Sequence, residues 1–362
     1  MITVLVMALV IWFSGRAMKA PVRARLLMLA LLYVAVLFVQ VALPSGHPVR
    51  MATGESPGLW LLIGGLALVG YGYALILRLV RARAGGGEVA LQPARPESFS
   101  ETELDRYARH IVLREIGGPG QKRLRDARVL VVGAGGLGAP ALLYLGAAGV
   151  GTLGVIDGDT VDNSNLQRQI IHRDRDIGMP KVFSAQSAVE ALNPYVTVRP
   201  YHRRLDAALV APLLEDYDVV LDGTDDPETR HVVNRACVAA GKPLVSGALS
   251  QWEGQISVFD PARGAPCYAC VFPRIAAPGL APSCAEGGVL GPLPGIIGAM
   301  MAAETVKVIA RAGAPLRGRL LIYDALDAET RTINVARRPD CAVCGAGAAA
   351  QAEGRETEGH PA

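Results

Sequence analysis

A loop of closely spaced glycines, residues 133–138, has the form of a phosphate-binding turn. Gly133, Gly135 and Gly138 match the pattern G-x-G-x-x-G and directly follow an apolar run that is typical of a β-strand. Glycine at these positions allows a tight turn and lets backbone N–H groups approach phosphate oxygens at the start of a helix. Asp157 ends the next apolar strand, about 20 residues further on, where a ribose-binding carboxylate is expected. The spacing therefore predicts nucleotide binding without identifying the nucleotide.

Two basic residues beyond Asp157 argue against a nicotinamide cofactor. A dehydrogenase holds the pyrophosphate of its cofactor mainly with backbone amides and a helix dipole, so it has little need of Arg168 and Lys181. A nucleotidyl transferase does need cations, because negative charge builds up on the phosphoryl group and on the leaving pyrophosphate. Taken singly, each cation is typical of a solvated surface. Together with the glycine loop, the two favour nucleotidyl transfer.

Carboxylates follow a third predicted strand, residues 218–222. The strand leads into Asp225 and Asp226, and the carboxyl end of a strand in an open α/β sheet faces the ligand crevice. Carboxylate oxygens suit Mg²⁺, which usually takes one or two of them together with phosphates. For Asp226 the alternative is a turn and helix N-cap before Pro227, which is compatible with a metal role for Asp225.

From about residue 103 to residue 344, about two-thirds of its length, the chain resembles the ThiF/MoeB/HesA family, bacterial relatives of the ubiquitin-activating enzymes. The resemblance lies in six segments: residues 106–110, 133–138, 157–161, 164–169, 178–181 and 223–225. It implies an enzyme that uses ATP to adenylate the C-terminal glycine carboxylate of a small ubiquitin-like sulfur carrier. The expected fold is a doubly wound, mainly parallel α/β sheet of the Rossmann type.

The resemblance also implies roles for individual residues. Gly136 lies in the phosphate loop, Asp157 holds the ribose and Asp225 binds Mg²⁺. The side chains that contact the phosphates are Asn165, Arg168 and Lys181. Arg109 reaches into the ATP site of a partner subunit, which implies a homodimer. This chain has Asp226 where many members have asparagine, a departure that affects the metal geometry but not the class of enzyme.

Four of the six cysteines form two C-x-x-C pairs. Each pair can place two thiolates on one tetrahedral ion, so the two pairs complete a structural zinc site, and the resemblance supports this assignment. The alternatives are a redox-active pair or unpaired buried thiols, which are less typical of a cytosolic ATP-binding domain. The predicted zinc ligands are Cys267, Cys270, Cys341 and Cys344.

The other two cysteines have different surroundings. Cys284 lies in a loop rich in proline and glycine, residues 282–288. The resemblance implies that some family members use a cysteine in this region to take the activated acyl group or to exchange with a carrier persulfide, whereas others adenylate without one. A covalent role for Cys284 and a loop cysteine of no catalytic consequence both remain open. Cys237 lies in a mostly apolar helical stretch, residues 232–240, and is predicted to belong to the core.

Two apolar runs near the N-terminus are predicted to be transmembrane helices. Residues 26–43 contain Gln40 as their only strongly polar member, and residues 59–77 carry no charge. Each run is long enough to cross a hydrocarbon core of roughly 30 Å. Residues 1–13 are apolar but short for a span, so a third helix, a half-buried segment and a later start at Met18 remain open. A soluble pair of buried helices is disfavoured, because no adjoining segment looks able to bury them.

Charge places the predicted enzyme domain in the cytoplasm. Basic residues cluster before the first apolar run and after the second. Both clusters are therefore expected to lie on the cytoplasmic side of the inner membrane. The formal net charge of +3 hides an asymmetry, because residues 1–95 hold 9 Lys and Arg against 2 Asp and Glu, while the remainder holds 27 against 31. The basic excess thus flanks the membrane, and no nucleic-acid partner is expected.

The expected organisation is a membrane anchor at 1–83, a linker at 84–100, an adenylyltransferase domain at 101–344 and a disordered tail at 345–362. Thiamin (ThiS-like) and molybdopterin (MoaD-like) carriers are the leading candidate substrates. A separate cysteine desulfurase or rhodanese is the expected sulfur donor, because no rhodanese-like domain follows Cys344. The rival hypotheses are adenylation of a peptide or of tRNA threonylcarbamoyladenosine, a NAD-dependent oxidoreductase, and a membrane protein that binds ATP or a carrier without turnover.

Overall fold

The computed structural model describes residues 2–18, 21–54, 56–84, 98–275 and 287–345. The chain divides into two compact units, Met1–Gln92 and Pro93–Ala362. Within the described residues the first unit is helical, and the second holds an eight-stranded sheet. The predicted tail after Gly345 and most of the predicted linker lie outside the described residues.

Four helices are described in the first unit, and all but the third contribute to a small apolar core. They are α1 (Ile2–Ala17), α2 (Val22–Ala42), α3 (Pro48–Thr53) and α4 (Pro57–Ala84). The buried members of the core are Val4, Val36 and Trp60. The buried amide of Gln40 donates to the carbonyl of Arg50 at 3.0 Å, so the one strongly polar residue of the predicted span at 26–43 joins α2 to α3.

Two stretches of the first unit are long and apolar enough to cross a membrane, Ala24–Ala42 and Pro48–Tyr73. Only 11% and 6% of the two windows are buried, so their apolar side chains are mostly exposed. By length and composition alone, both stretches suit a lipid environment, and they overlap the predicted spans at 26–43 and 59–77.

The second unit is built on one mixed sheet with the strand order β3-β2-β1-β4-β5-β6-β7-β8. The strands are β1 (Arg128–Val132), β2 (Thr152–Ile156), β3 (Thr197–Tyr201), β4 (Val219–Asp222), β5 (Leu244–Leu249), β6 (Glu253–Phe259), β7 (Arg319–Asp324) and β8 (Glu329–Asn334). The first five strands are parallel, and β6 to β8 continue the sheet antiparallel. The predicted Rossmann-like α/β sheet is confirmed, and an antiparallel edge is added to it.

Helices cover both faces of this sheet. Those in the described part of the unit are α5 (Glu101–Ile111), α6 (Gly117–Asp126), α7 (Gly138–Ala147), α8 (Lys181–Leu192), α9 (Ala207–Glu215), α10 (Pro227–Ala239), α11 (Tyr268–Val271) and α12 (Leu293–Ala310). Val129 and Val131 lie in the core with α7, α8 and α12, whereas Leu130 and Val132 lie in the core with α9 and α10. Alternate side chains of a strand point to opposite faces, so the apolar part of β1, from Val129 to Val132, is buried on both sides.

The strand order reverses between β1 and β4, where the two halves of the sheet meet. In an open α/β sheet, ligands bind at such a switch point, outside the carboxyl ends of the strands. The loops after β1 and β4 touch there, because a Cβ placed on Gly223 would lie 3.1 Å from the Cβ of Leu137. The sheet thus brings the glycine loop and the Asp225 loop to one crevice.

Helix α12 is a third segment long and apolar enough to cross a membrane, but half of it is buried inside the second unit. Leu293, Ile297 and Met301 are fully buried in the core of that unit. Near its start, Pro294 lies against the glycine loop, where a Cβ placed on Gly136 would come within 3.0 Å of it. Helix α12 is therefore a core helix that supports the crevice.

Candidate nucleotide-binding and metal sites

The glycine loop between β1 and α7 needs glycine at two positions. Gly133 has a φ of +92°, in the left-handed region that favours glycine. A Cβ on Gly138 would lie 1.8 Å from the carbonyl oxygen of Gly133, so no larger residue fits. Helix α7 begins at Gly138, where the N–H of Ala139 already donates to the carbonyl of Gly135 at 2.9 Å and Pro140 has no N–H. Donors for an anion at the crevice must therefore come from the backbone of the glycine loop itself.

The predicted ribose ligand, Asp157, holds this loop from the end of β2. Its Oδ2 accepts a hydrogen bond from the N–H of Ala134 at 2.8 Å. Its Oδ1 accepts one from the N–H of Asp159, also at 2.8 Å. Each carboxylate oxygen has a second lone pair, so both remain able to accept from ribose hydroxyls.

A buried histidine, His172, holds the same loop from the other side, and the sequence analysis missed it. Its Nε2 lies 2.9 Å from the carbonyl oxygen of Ala134, and its Nδ1 lies 2.9 Å from the Oγ of Ser184 on α8. Because a carbonyl can only accept, Nε2 carries a proton in this arrangement. Burial lowers the pKa of His172 below its ordinary value. A lone histidine between Ile171 and a run of charged residues offers no spacing pattern that could have revealed this contact.

Arg168 and Asn165 lie together beside the glycine loop. Arg168 Nη2 donates to Asn165 Oδ1 at 3.0 Å, and its Nη1 donates to the carbonyl of Ser164 at 3.2 Å. The side-chain stem of Arg168 lies 4.0 Å from a Cβ placed on Gly136. The half-buried guanidinium is therefore next to the loop, with further N–H donors for phosphate oxygens.

Lys181 begins helix α8 and is almost fully buried, with 5% of its surface exposed. Its Nζ forms an ion pair with Asp159 Oδ2 at 3.0 Å. The backbone supports this pair, because the N–H of Lys181 donates to the carbonyl of Asp159 at 3.0 Å. A buried ammonium needs such a partner, and Asp159 follows the ribose candidate Asp157 by two residues. Asp159 therefore connects the ribose candidate, Asp157, to a phosphate candidate, Lys181.

The loop after β4 places three acidic residues in different environments. Asp222 is fully buried and accepts from the N–H and hydroxyl of Thr224 at 3.0 and 2.7 Å. Asp226 accepts from the N–H of Thr229 at 2.9 Å and caps α10, as its N-cap alternative predicted. Burial alone would raise the pKa of Asp226, but the hydrogen bonds from Thr229 outweigh it and lower that pKa. Asp225 is exposed and forms no hydrogen bond with another described residue, so its oxygens are free for a cation.

Buried Arg230 fixes the same loop, and the sequence analysis did not identify it. Its guanidinium lies 3.9 Å from Asp222 Oδ2. It donates to the carbonyl of Thr224, to the carbonyl of Gly247 at 2.8 Å and to the Oγ of Ser246 at 3.2 Å. A buried charge is tolerated only when it is paired and hydrogen-bonded, and both conditions hold here.

Arg109 stands apart from the residues of the crevice. It lies in the last turn of α5, and its side chain is exposed. Within the described residues it forms no hydrogen bond or ion pair with the glycine loop. This position suits a side chain that acts on another molecule.

The four predicted zinc ligands form one buried cluster. The sulfurs of Cys267 and Cys270 lie 3.8 Å apart, and those of Cys267 and Cys341 lie 3.6 Å apart. Cys270 and Cys344 are 3.4 Å apart, and all four sulfurs lie within 4.8 Å of one another. A tetrahedral zinc ion with bonds of about 2.3 Å separates its sulfurs by roughly 3.8 Å. The donor set therefore fits one zinc ion, and the separations are too long for a disulfide bond.

The thiols of this cluster differ in acidity. Burial raises the pKa of Cys267 and Cys270. At Cys341 burial also acts to raise the pKa, but hydrogen bonds from the backbone of Cys344 and Val343 lower it to about 7. The lowered pKa of Cys341 eases its deprotonation, which a metal ligand requires.

The remaining two cysteines were predicted to differ. Cys237 is buried in α10, as predicted, and burial raises its pKa, which suits an inert core thiol. Cys284 lies outside the described residues, so its covalent role stays a prediction.

Comparison with known proteins places the chain among adenylyltransferases. The model of the ThiF family matches residues 107–343. The sulfur carrier protein adenylyltransferase of Thermus thermophilus is 49% identical over 251 residues, which are 68% of this chain and 93% of that protein. The molybdopterin-synthase adenylyltransferase of Escherichia coli is 45% identical over 247 residues, which are 68% of this chain and 98% of that protein.

Solved structures agree on the fold. Escherichia coli MccB with ATP superimposes with a TM-score of 0.58 at 23% identity, over 68% of this chain and 75% of that chain. At this level of identity the likeness extends to the fold alone. The predicted class of enzyme, an adenylyltransferase, is confirmed by the relatives at higher identity, and the chain belongs to the ThiF family.

Proposed function

We propose that this enzyme uses ATP to adenylate the C-terminal carboxylate of a ubiquitin-like sulfur-carrier protein. One observation carries the proposal. At the switch point of the sheet, the glycine loop touches the loop that carries Asp225, while Asp157 is bonded to the glycine loop and Arg168 lies beside it. Lys181 joins this group through its ion pair with Asp159. The names of relatives at 45–49% identity, which include a sulfur carrier protein adenylyltransferase, support a carrier as the substrate.

The reaction overcomes the low electrophilicity of a carboxylate. A carboxylate oxygen of the carrier attacks the α-phosphorus of ATP, and a new P–O bond forms. The bond between the α-phosphorus and the bridging oxygen breaks, and pyrophosphate leaves with the electron pair. The product is an acyl adenylate with a good leaving group. The protein contributes positioning and charge neutralisation to this step.

The residues of the crevice divide this work. Asp157 would accept from the ribose, and backbone N–H groups of the glycine loop would hold phosphate oxygens. Arg168 and Lys181 would neutralise charge on the phosphates, with Asn165 orienting the guanidinium of Arg168 as it does in this structure. Lys181 could exchange its ion pair with Asp159 for a contact with phosphate. The carboxylate of Asp159 would then be solvated, because this side chain is about half exposed to water.

The donor groups fit two metal ions. Asp225 offers exposed hard oxygens at the crevice, which suit Mg²⁺. Bound Mg²⁺ would neutralise charge on the phosphates. The four-cysteine cluster would hold zinc in a closed structural site, because it offers four protein ligands and no open position.

Further partners belong to the same proposal. ThiS-like and MoaD-like carriers, for thiamin or molybdopterin synthesis, are the candidate substrates. Arg109 would complete the ATP site of a second copy in a homodimer. A separate cysteine desulfurase or rhodanese would supply sulfur, and Cys284 would take the activated acyl group or exchange with the carrier persulfide.

We also propose that residues 1–83 anchor the enzyme in the inner membrane as a multi-pass segment, with the catalytic domain in the cytoplasm. The apolar stretches Ala24–Ala42 and Pro48–Tyr73 and the basic residues around them support this placement. Carbonate extraction of cell membranes tests it. Release of the full-length chain into the soluble fraction would refute the anchor.

Carrier-dependent exchange of labelled pyrophosphate into ATP tests the enzymatic proposal. The purified full-length protein should exchange label only when Mg²⁺ and an intact ThiS-like or MoaD-like carrier from the same genome are present. The matched control is the same carrier without its C-terminal glycine, which should support no exchange. ATP binding without exchange in the presence of every such carrier would refute the proposed substrate class.

A further inference from the structure

A cavity in the second unit gathers four cationic side chains. Its volume is about 370 Å³, within the range of small-molecule sites. The cations come from the segment after β6, the end of α12 and the segment before β7, and they are Arg263, Lys307, Arg311 and Arg317.

The cavity lies near the amino ends of the parallel strands, whereas the nucleotide crevice lies at their carboxyl ends. Strand β6 is antiparallel to β5, and its last residue, Phe259, pairs with Leu244, the first residue of β5. The end of β6 thus lies beside the start of β5, whereas the glycine loop follows the carboxyl end of β1. Arg263 follows β6 by four residues, so the cavity is distinct from the proposed ATP site.

Two of the cations share one buried carboxylate. Arg317 Nε and Arg263 Nη1 donate to the same oxygen of Asp260, at 2.8 and 3.0 Å. Asp260 is fully buried, and it therefore fixes both guanidinium groups while it neutralises only one positive charge.

The other two cations, Lys307 and Arg311, face one carboxylate and so add a net charge of +1. Lys307 forms an ion pair with Glu304 at 2.5 Å. The other carboxylate oxygen of Glu304 accepts from the N–H of Leu316 at 2.7 Å, which fixes this pair. The side chain of Arg311 is exposed and forms no hydrogen bond or ion pair with another described residue. Four cations against two carboxylates leave the cavity with a net charge of +2.

The backbone of Arg311 is unusual for an arginine. It ends α12 in the left-handed conformation, with a φ of +56°. Glycine is the common residue where a helix ends in this conformation, because a Cβ there is strained. The chain thus has a charged side chain at a position where glycine would be more stable.

We propose that this cavity binds a small soluble anion that carries a phosphate group. Guanidinium groups donate in pairs to phosphate oxygens, and a concave site with one sign of charge concentrates the opposite ion. A phosphate dianion matches the net charge of +2. The volume leaves room for an organic group on the phosphate.

Titration calorimetry with inorganic phosphate tests the site. The full-length protein is first saturated with Mg²⁺ and α,β-methylene-ATP, so that the nucleotide crevice is occupied. At low ionic strength we expect saturable binding by the wild-type protein and binding at least about tenfold weaker in Arg311→Gly. Arg311→Gly relieves the backbone strain, so this variant should unfold at the same temperature as the wild type or higher.

Two control variants test whether relief of backbone strain, or loss of an exposed positive charge elsewhere, is enough to weaken phosphate binding. Ala328→Gly relieves an equal φ of +56° elsewhere, and Arg114→Gln removes a charge that is 96% exposed. Both should bind phosphate with the wild-type affinity. No saturable binding by the wild type through the millimolar range, or equal affinity in Arg311→Gly, would overturn the proposal.

Discussion

Asp157 and His172 bind the two polar groups of a single residue in the glycine loop. Asp157 Oδ2 accepts from the N–H of Ala134 at 2.8 Å, and His172 Nε2 donates to its carbonyl oxygen at 2.9 Å. One side chain comes from the end of β2 and the other from the segment before α8. The loop is therefore fixed without a nucleotide, and donors fixed in this way need no reorganisation when charge develops in the transition state.

Replacement of His172 by alanine should weaken both the fold and the nucleotide site. The carbonyl of Ala134 and the hydroxyl of Ser184 would each lose a partner in the interior. A buried polar group without a partner costs about 1–3 kcal/mol, so we expect the free energy of unfolding to fall by about 2–4 kcal/mol. Urea unfolding measures this loss, and ATP titration should show weaker binding. Recovery of ATP affinity in His172→Gln, which keeps a donor, would support positioning, whereas wild-type affinity in His172→Ala would exclude it.

The pH dependence of stability should also report on His172. Burial holds its pKa below the ordinary value of 6.5, so between the two pKa values the unfolded chain binds more protons than the folded chain. The free energy of unfolding therefore rises with pH across this interval, and stability is lost as the pH falls below about 6.5. Unfolding curves from about pH 5 to about pH 8 should rise less steeply for His172→Gln than for the wild type. The pKa of His231 is also lowered by burial, but this group is present in both proteins and cancels. Equal slopes would contradict the assignment.

Removal of either crevice cation should abolish pyrophosphate exchange. Arg168→Ala and Lys181→Ala each delete a charge that would oppose the negative charge of the transition state, so we expect losses of more than about 100-fold. Asp159→Asn keeps the size of the Lys181 partner but not its charge, and a smaller loss is expected. Circular dichroism should show an unchanged fold in all three variants. The matched control is Arg331→Ala, which removes an arginine that is 61% exposed on β8. Wild-type exchange in Arg168→Ala or Lys181→Ala would exclude that residue from the phosphate site.

Zinc content should depend on both ends of the four-cysteine cluster. We expect about one zinc ion per chain in the wild type, and loss of that ion in Cys267→Ser and in Cys344→Ser. The midpoint of thermal unfolding should fall with it, because binding free energy at a structural site contributes to folding. Cys237→Ala alters a buried thiol outside the cluster and should retain zinc. Elemental analysis measures the metal, and zinc retained after either serine substitution would count against the site.

Short local patterns predicted the parts of the site that depend on backbone geometry. The glycine pattern predicts a turn by itself, because Gly133 adopts a left-handed φ and a Cβ on Gly138 would clash with the backbone. The two C-x-x-C pairs were identifiable for a similar reason, since two residues between cysteines suit one tetrahedral ion. In both cases the chemical requirement acts over a few consecutive residues.

The contacts that support the site depend on tertiary structure and could not be predicted in this way. Arg230 and Asp222 lie on different elements, and either would pass for a surface charge in the sequence. His172 meets Ala134 only because the segment before α8 packs against the glycine loop. Strand β8 is exposed at every position, so it lacks the alternation that marks a half-buried strand.

Helix α12 also limits which apolar segments of this chain could cross a membrane. By length and hydropathy it would count as a crossing, but two residues of the four-cysteine cluster precede it and two follow it, with all four sulfurs within 4.8 Å. A helix that spanned a bilayer would hold its two ends about 30 Å apart, on opposite sides, and the cluster could not form. Strands β6 and β7, one before the helix and one after it, pair along their length and impose the same condition. A reporter fused after Gly345 should therefore label the same side of the membrane as one inserted before β1.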